Sequence, residues 1–66
     1  MNNDILKGKW QEMKGTLQAR WGALTDDDLT QIAGEREQLI GKLRQRYGMA
    51  RDQAVKEVDN WLALSS

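Results

Sequence analysis

GTLQARWG, from Gly15 to Gly22, is followed later in the chain by GKLRQRYG, from Gly41 to Gly48. Both segments read Gly-x-Leu-x-x-Arg-aromatic-Gly. A leucine four positions before an aromatic residue lies on the same face of a helix, and glycine is common just after a helix ends. Each segment therefore predicts the end of a helix whose leucine and aromatic side chains face a core.

The repeat extends beyond these segments. An offset of 26 positions also pairs Gly8 with Gly34 and Asp26 with Asp52. Each half of the chain therefore reads as a helix, a glycine turn and a second helix. One such hairpin cannot bury its apolar face alone, but two can pack on each other. We expect an all-α, SAM-domain-like fold of four helices, built as two packed hairpins with an approximate internal repeat. An open helix array and a regular four-helix bundle are the alternatives, and a short second helix argues against the bundle.

Four helices are predicted from apolar spacing and from start and stop residues. They run from Asn3 or Asp4 to Gly22, from Thr25 to Gly34, from Glu35 to Tyr47, and from Ala50 to Leu64. The clearest start is LTDDDL, in which Thr25 takes the N-cap position and three aspartates fill the first turn. Thr25 and Asp28 also have the spacing of a capping box. A calcium site at these aspartates is the alternative, but the turn glycine and alternating ligands of a calcium loop are absent.

Glycines and aromatic residues carry the packing predictions. Gly15 and Gly41 lie inside helices, where glycine costs about 1 kcal/mol relative to alanine, so we expect close helix approach at both. The large aromatic residues lie on apolar stripes and are expected in the core, although aromatic residues also form stacking platforms for bases. They are Trp10, Trp21, Tyr47 and Trp61.

Composition sets limits on function. The chain has 66 residues, which predicts a single domain over residues 1–66, and it contains neither cysteine nor histidine. Thiol catalysis, imidazole acid–base chemistry and a structural zinc site are therefore not expected. We expect no enzyme, no catalytic residue, no cofactor and no metal.

Charge is balanced overall but uneven along the chain. Ten basic and ten acidic residues give a formal net charge of zero. The segment from Arg36 to Arg51 is nevertheless mostly basic, and a glycine turn at Gly48 lies within it. A nucleic-acid-binding face is one hypothesis, and a solvated helix face is the alternative that zero net charge favours. The candidate contacts are Lys42, Arg44, Arg46 and Arg51. Arg20 and its repeat partner Arg46 have no structural role that the sequence shows.

No apolar run approaches the roughly 20 residues of a membrane span, and MNNDILKGKW lacks the apolar centre of a signal peptide. We therefore expect a cytoplasmic protein without membrane contact. We also expect a monomer. Exposed apolar residues would suit a helical partner, and the candidates are Met1, Ile5, Met49 and Leu64.

Four motifs follow one another along the chain: W-x-x-M-K-G (10–15), W-G-x-L-T-D-D-D (21–28), G-x-R-x-x-L-x-G-x-L-x-x-R-Y-G (34–48) and A-x-x-x-V-x-x-W (54–61). Their order and spacing resemble those of the CsbD-like family of small bacterial proteins. The resemblance implies a general stress-response protein of undefined activity and a small helical domain similar to sterile-alpha-motif hairpins. It supplies no catalytic or ligand residues. The alternatives are a nucleic-acid-binding module, a protein–protein adaptor, and a disordered protectant, against which three core-type tryptophans argue.

Overall fold

The computed structural model describes residues 6–65, apart from the side chain of Ser65. Four helices follow one another: α1 (Trp10–Arg20), α2 (Asp26–Ile32), α3 (Arg36–Tyr47) and α4 (Arg51–Ser65). Residues 6–8 are also helical. Every regular element in the described part of the chain is a helix, which confirms the all-α prediction. The predicted bounds of the third and fourth helices agree with α3 and α4 within one residue.

The single first helix predicted up to Gly22 is wrong, because a turn at Lys9 separates residues 6–8 from α1. Lys9 has φ −116° and ψ 21°, outside helical geometry. Leu6 is fully buried ahead of this break, and the backbone of Lys7 lies against Gly34. The break therefore lets the start of the described chain turn onto the core. The predicted helix start at Asn3 or Asp4 lies outside the described residues.

The predicted cap of α2 is confirmed. The Oγ1 atom of Thr25 accepts a hydrogen bond from the backbone N–H of Asp28 at 3.2 Å, and the Asp28 carboxylate accepts one from the backbone N–H of Thr25 at 3.0 Å. These reciprocal bonds form a capping box with aspartate in the place that glutamate usually takes.

The predicted stop at Gly34 is also confirmed, and it has a second cause. Ala33 (φ 46°) and Gly34 (φ 84°) both adopt left-handed conformations after α2. A Cβ atom on Gly34 would lie 3.0 Å from the Cα atom of Lys7. Glycine is therefore required here both for its dihedral angles and for the close approach of two backbone segments.

The two glycines that close the repeated phrase behave differently. Gly48 caps α3 in the left-handed conformation, with φ 68°, as predicted. Gly22 was expected to do the same for α1, and that prediction is wrong. Trp21 is the C-cap residue, with φ −123°, and Gly22 is not among the glycines with positive φ. The chain leaves α1 through a turn in which the N–H of Leu24 bonds to the carbonyl of Trp21 at 3.1 Å.

The glycines inside the helices do not mark close packing. A Cβ atom at Gly15 or Gly41 would meet no heavy atom within 4 Å, and both residues are exposed. The predicted close helix approach at these positions is therefore wrong. Neither glycine has a steric role within the described part of the chain.

The core is made of apolar side chains from all four helices and from the connections between them. Its buried members are Leu6, Met13, Leu17, Trp21, Leu24, Leu29, Ile32, Leu39, Ile40, Leu43, Ala54, Val58, Trp61 and Leu62. Trp21 and Trp61 meet edge to face, with ring centroids 5.5 Å apart and planes at 68°, a favourable geometry for aromatic pairs. The core prediction for these two tryptophans is confirmed. Trp10 is only partly buried and packs against the cluster from outside.

Tyr47 departs from its repeat partner Trp21. It was predicted to face the core, but it is 43% exposed, so the prediction is wrong. Its hydroxyl oxygen accepts a hydrogen bond from the backbone N–H of Ala23 at 3.1 Å. The tyrosine hydroxyl can accept this hydrogen bond at the surface. The indole of a tryptophan at the same position could not, because its N–H is only a donor. The tyrosine thus connects the end of α3 to the turn after α1.

The most extensive helix–helix contacts among the described residues join α3 to α4 and α2 to α3. A surface groove lies between α1 and α2.

The exposed apolar residues agree only in part with the prediction. Leu64 is 79% exposed as predicted, whereas Met49 is partly buried against the core. Met1 and Ile5 lie outside the described residues.

Candidate functional site

The first feature of chemical interest is a buried carboxylate at the start of α2. Asp28 is 1% exposed, and it is the only charged residue among the buried side chains of the described chain. It lies at the third position of α2 because the capping box fixes Thr25 and the first turn. The same turn carries Leu24 and Leu29 into the core, so the carboxylate is drawn in beside them.

Two cations from α3 meet this carboxylate. Arg46 donates from Nε to Oδ2 at 2.8 Å and from Nη2 to Oδ1 at 3.0 Å, which is a bidentate pair. The Nζ atom of Lys42 lies 3.4 Å from Oδ1. Lys42 and Arg46 are four residues apart, so one face of α3 presents both charges. Both Asp28 oxygens are therefore engaged by the chain itself.

The ionisation of this cluster follows from its contacts. The hydrogen bonds from Arg46, and then the backbone N–H of Thr25, hold the pKa of Asp28 well below its ordinary value, although burial alone would raise that pKa. The same contact raises the pKa of Arg46. Asp28 therefore stays ionised at any physiological pH, and it does not exchange a proton as a general acid or base would.

Three of the four predicted nucleic-acid contacts form ion pairs with acidic residues of the chain, and the fourth does not. Lys42 and Arg46 are held by Asp28, and the Nη2 atom of Arg51 lies 3.1 Å from Oε1 of Glu37. Arg44 is exposed and makes no ion pair within the described residues. Its side chain borders a shallow surface groove of about 390 Å³ that includes Gly48. The structure thus leaves one of the four candidates unengaged.

Arg20 has a structural role that the sequence did not reveal. Its guanidinium lies 5.7 Å from the ring centroid of Trp21, within the range of a cation–π contact. Its Nη2 atom is 3.7 Å from Oε1 of Glu57 on α4. Arg20 and Arg46 both reach an acid on another helix, but only Arg46 meets a buried one.

A second feature is the groove between α1 and α2, with a volume of about 580 Å³. Its lining residues are Trp10, Gln11, Glu12, Lys14, Gly15, Gln18, Asp26, Leu29, Thr30 and Ala33. Trp10 and Ala33 also share a smaller neighbouring groove, so they lie together at one end. At the other end Gln18 donates a hydrogen bond to the carbonyl of Leu24, close to the start of α2.

Neither a cation site nor a membrane span is found in the described residues. No group of three or more acidic side chains there is arranged to hold a metal ion. The Asp28 carboxylate is occupied by Arg46, which removes it from the aspartate run weighed as a calcium site. No described helix combines the length and apolar character that crossing a membrane requires.

Residues of the four sequence motifs between Trp10 and Trp61 lie in the core, at helix caps and in the Asp28 cluster. A CsbD-like family model matches residues 4–56. The chain belongs to the CsbD-like family. It is 54% identical to the UPF0337 protein YjbJ of Escherichia coli O6:H1 over 92% of this chain and 88% of that protein. The YjbJ protein of Salmonella typhimurium is 52% identical over 92% and 87% of the two chains. A UPF0337 protein of Pseudomonas aeruginosa is 50% identical over 88% and 89%. No solved structure matches the chain significantly.

In this CsbD-like protein, sequence reasoning missed the Asp28 cluster. The sequence indicated Asp28 only as a capping-box and helix-dipole residue, and Arg46 only as a candidate nucleic-acid contact or as part of a solvated helix face. A signal was present, since Lys42 and Arg46 put two cations on one helix face. What the sequence did not show was that α3 turns this face toward the start of α2.

Proposed function

We propose that this CsbD-like protein is a general stress-response protein that acts without catalysis, as one domain of residues 1–66 in the cytoplasm. Family membership supports the association with stress. The buried core of the described residues supports a folded protein rather than a disordered protectant. We propose that it acts by binding another molecule, so that its effect increases with the amount of the protein.

The ion cluster at Asp28 is the observation that carries the non-catalytic part of the proposal. Carboxylates that act as general acids or bases usually have a pKa raised toward the working pH, and one of their oxygens faces a cleft. Asp28 has the opposite character, because its pKa is lowered and Arg46 holds both oxygens. The Asp28 carboxylate therefore joins α2 to α3.

Survival under stress as a function of protein amount tests this proposal. A strain that lacks the gene would be complemented from a titratable promoter, with the protein quantified in each culture. A protein that acts by contact gives survival that rises with its abundance over the whole range up to the natural level. A catalyst would restore full survival at a small fraction of that level.

Isosteric variants supply the control for this experiment. Glu12→Gln and Asp26→Asn each remove one exposed carboxylate from the groove and leave the core intact. Each variant should retain most of the survival that the same amount of unmodified protein gives. Complete loss of survival with either one, at normal abundance and helical content, would point to an essential reactive carboxylate and contradict the proposal.

Arg44 supports nucleic-acid binding as a second candidate function. Its exposed guanidinium and the turn at Gly48 border the same shallow groove, and a Cβ atom at Gly48 would meet nothing within 4 Å. A phosphate could therefore approach the backbone of this turn beside a free cation. Lys42, Arg46 and Arg51 would then add charge from their ion-paired positions.

Titration with duplex DNA at low and moderate salt tests this candidate. Binding at low salt should weaken as salt rises, and Arg44→Glu should weaken it further. Lys56→Glu on α4 is the matched control, since Lys56 is an exposed cation outside the Arg36 to Arg51 segment. Equal losses in the two variants would indicate attraction to charge in general. No binding at low salt would remove the candidate.

The finer fold arrangement is also a proposal: two hairpins packed as in sterile-alpha-motif domains. The short connections from α1 to α2 and from α3 to α4 support it, because each lets two successive helices pack as a hairpin. An experimental structure tests it through the relative orientation of the two halves. Halves that do not superpose after a rotation of about 180° would reject the two-fold arrangement.

A further inference from the structure

The first helix packs less extensively on the rest of the protein than the other three helices do. Two of the eleven residues of α1 are buried, Met13 and Leu17, whereas α2 buries three of its seven. The most extensive helix–helix contacts among the described residues join α2 to α3 and α3 to α4, and neither involves α1. A groove of about 580 Å³ lies between α1 and α2. Two side chains therefore provide most of the packing of α1.

The polar link from α1 to another helix is also weak. The Nη2 atom of Arg20 lies 3.7 Å from Oε1 of Glu57 on α4, and both side chains are partly exposed. By contrast, Arg46 on α3 holds both oxygens of the buried Asp28 on α2, and Arg36 on α3 donates to an aspartate of α4 at 2.6 Å. Exposed ion pairs contribute little to stability, whereas breaking a buried pair is costly. Helices α2, α3 and α4 are thus joined more firmly to one another than to α1.

Both ends of α1 are anchored to other parts of the fold. Ahead of the helix, Leu6 is fully buried and the backbone of Lys7 lies against Gly34. After the helix, Trp21 is 3% exposed and meets Trp61 edge to face. Helix α1 therefore spans two fixed points, and its helical turns can open while these points stay in place.

The local sequence of α1 does little to hold the helix together. Isolated helices shorter than about 12–15 residues are marginal in water, so a helix of eleven residues depends on its packing. Gly15 lies in the middle of α1, where it is exposed and a Cβ atom would meet nothing within 4 Å. Lys9 at the N-cap makes no side-chain capping bond. A glycine inside the helix and a start without a cap both favour opening.

We propose that α1 opens and reforms as a unit while α2, α3 and α4 stay folded. Proteins open in cooperative units of different stability, and the units with the fewest buried contacts open first. Opening uncovers apolar surface next to α1, where Leu29 lines the groove and is only 6% exposed in the closed state. The protein thus has a second state with more apolar surface. This proposal does not depend on the stress function, since opening is measured on the purified chain.

Hydrogen exchange of the folded full chain, followed amide by amide by NMR, tests the proposal. After correction for the intrinsic rates, the hydrogen-bonded amides of α1 should exchange at least about tenfold faster than the slowest amides of α3. Low concentrations of urea should accelerate exchange in α3 more steeply than in α1. The reason is that opening α1 exposes less surface than unfolding the whole protein.

Two glycine variants supply a matched pair, since Gly15 and Gly41 are both exposed inside helices with open space around them. Gly41→Ala stabilises the closed and the open state equally against global unfolding. It should therefore slow the slowest α3 amides by up to about fivefold and leave the α1 amides unchanged. Gly15→Ala stabilises only the closed state, so it should slow the α1 amides by a similar factor.

Two results would overturn the proposal. One is exchange in α1 that is as slow as in α3 and has the same urea dependence. The other is equal slowing of the α1 amides by Gly15→Ala and Gly41→Ala, because α1 would then open only when the whole protein unfolds.

Discussion

Arg46 donates two hydrogen bonds to the two carboxylate oxygens of Asp28, at 2.8 and 3.0 Å, and Asp28 is 1% exposed. The same carboxylate accepts the backbone N–H of Thr25, which caps α2. One side chain therefore closes the start of a helix and joins it to α3. Burying a charge is costly unless it is paired and hydrogen-bonded, and here three donors meet that requirement.

Replacing the buried carboxylate should destabilise the fold far more than replacing its neighbour. Asp28→Asn removes the negative charge that Arg46 and Lys42 face, and it leaves two cations beside each other without a counter-charge. Asp27→Asn changes an exposed residue of the same helical turn. We expect a large fall in the urea midpoint for Asp28→Asn and a small one for Asp27→Asn. Equal falls would mean that only the helix dipole matters at this turn.

Stability should decline as the pH falls below about 4, the ordinary range of an aspartate. The pKa of Asp28 is lower in the folded protein than in the unfolded chain. Its contribution is therefore fully present above the unfolded pKa and is lost as pH falls toward the folded pKa. Urea unfolding at neutral and acidic pH measures this decline. Asp28→Asn should show a smaller one, and an unchanged pH dependence in that variant would assign the effect to other carboxylates.

Trp61 should contribute more to stability than Trp10. Trp61 is 3% exposed and meets Trp21 edge to face, whereas Trp10 lies at the edge of the core. Trp61→Ala should cost about 3–5 kcal/mol, which is much of the stability of a domain this small. Trp10→Ala should cost clearly less in the same denaturant experiment. A larger loss at Trp10 would show that the first helix carries the core.

Replacing Gly41 and Gly34 with alanine should change the stability of the protein in opposite directions. Gly41→Ala adds a Cβ atom in open space inside a helix and should stabilise the protein by up to about 1 kcal/mol. Gly34→Ala places a Cβ atom 3.0 Å from the backbone of Lys7 at a φ of 84°, and it should destabilise by about 1–2 kcal/mol or more. Thermal unfolding measures both. Stabilisation by Gly34→Ala would mean that the turn after α2 relaxes freely.

Local signals in the sequence predicted much of the fold. The Thr25 cap, the glycine stops at Gly34 and Gly48 and the buried Trp21 and Trp61 follow from propensity and periodicity, which act over a few residues. The failures involve tertiary contacts. The break at Lys9 depends on how Lys7 meets Gly34, and the exposure of Tyr47 depends on the backbone of Ala23.

The repeat is a poor guide to structure where equivalent residues have different surroundings. Trp21 is buried and Tyr47 is exposed, although they occupy matching positions. Arg46 meets a buried aspartate, whereas its partner Arg20 lies over an aromatic ring. Pairing between helices decides these roles, and a periodic pattern contains no information on which helix faces which. The Asp28 cluster could be foreseen only as two cations on one face of α3.

A carbon-13 NMR titration of the Asp28 carboxyl carbon tests most directly the claim that the buried carboxylate is a structural ion and not a reactive group. We expect this signal to stay at its ionised position as the pH falls through about 4, the ordinary range of an aspartate, because Arg46 lowers the pKa of Asp28. A midpoint for Asp28 at or above that ordinary range would contradict the claim.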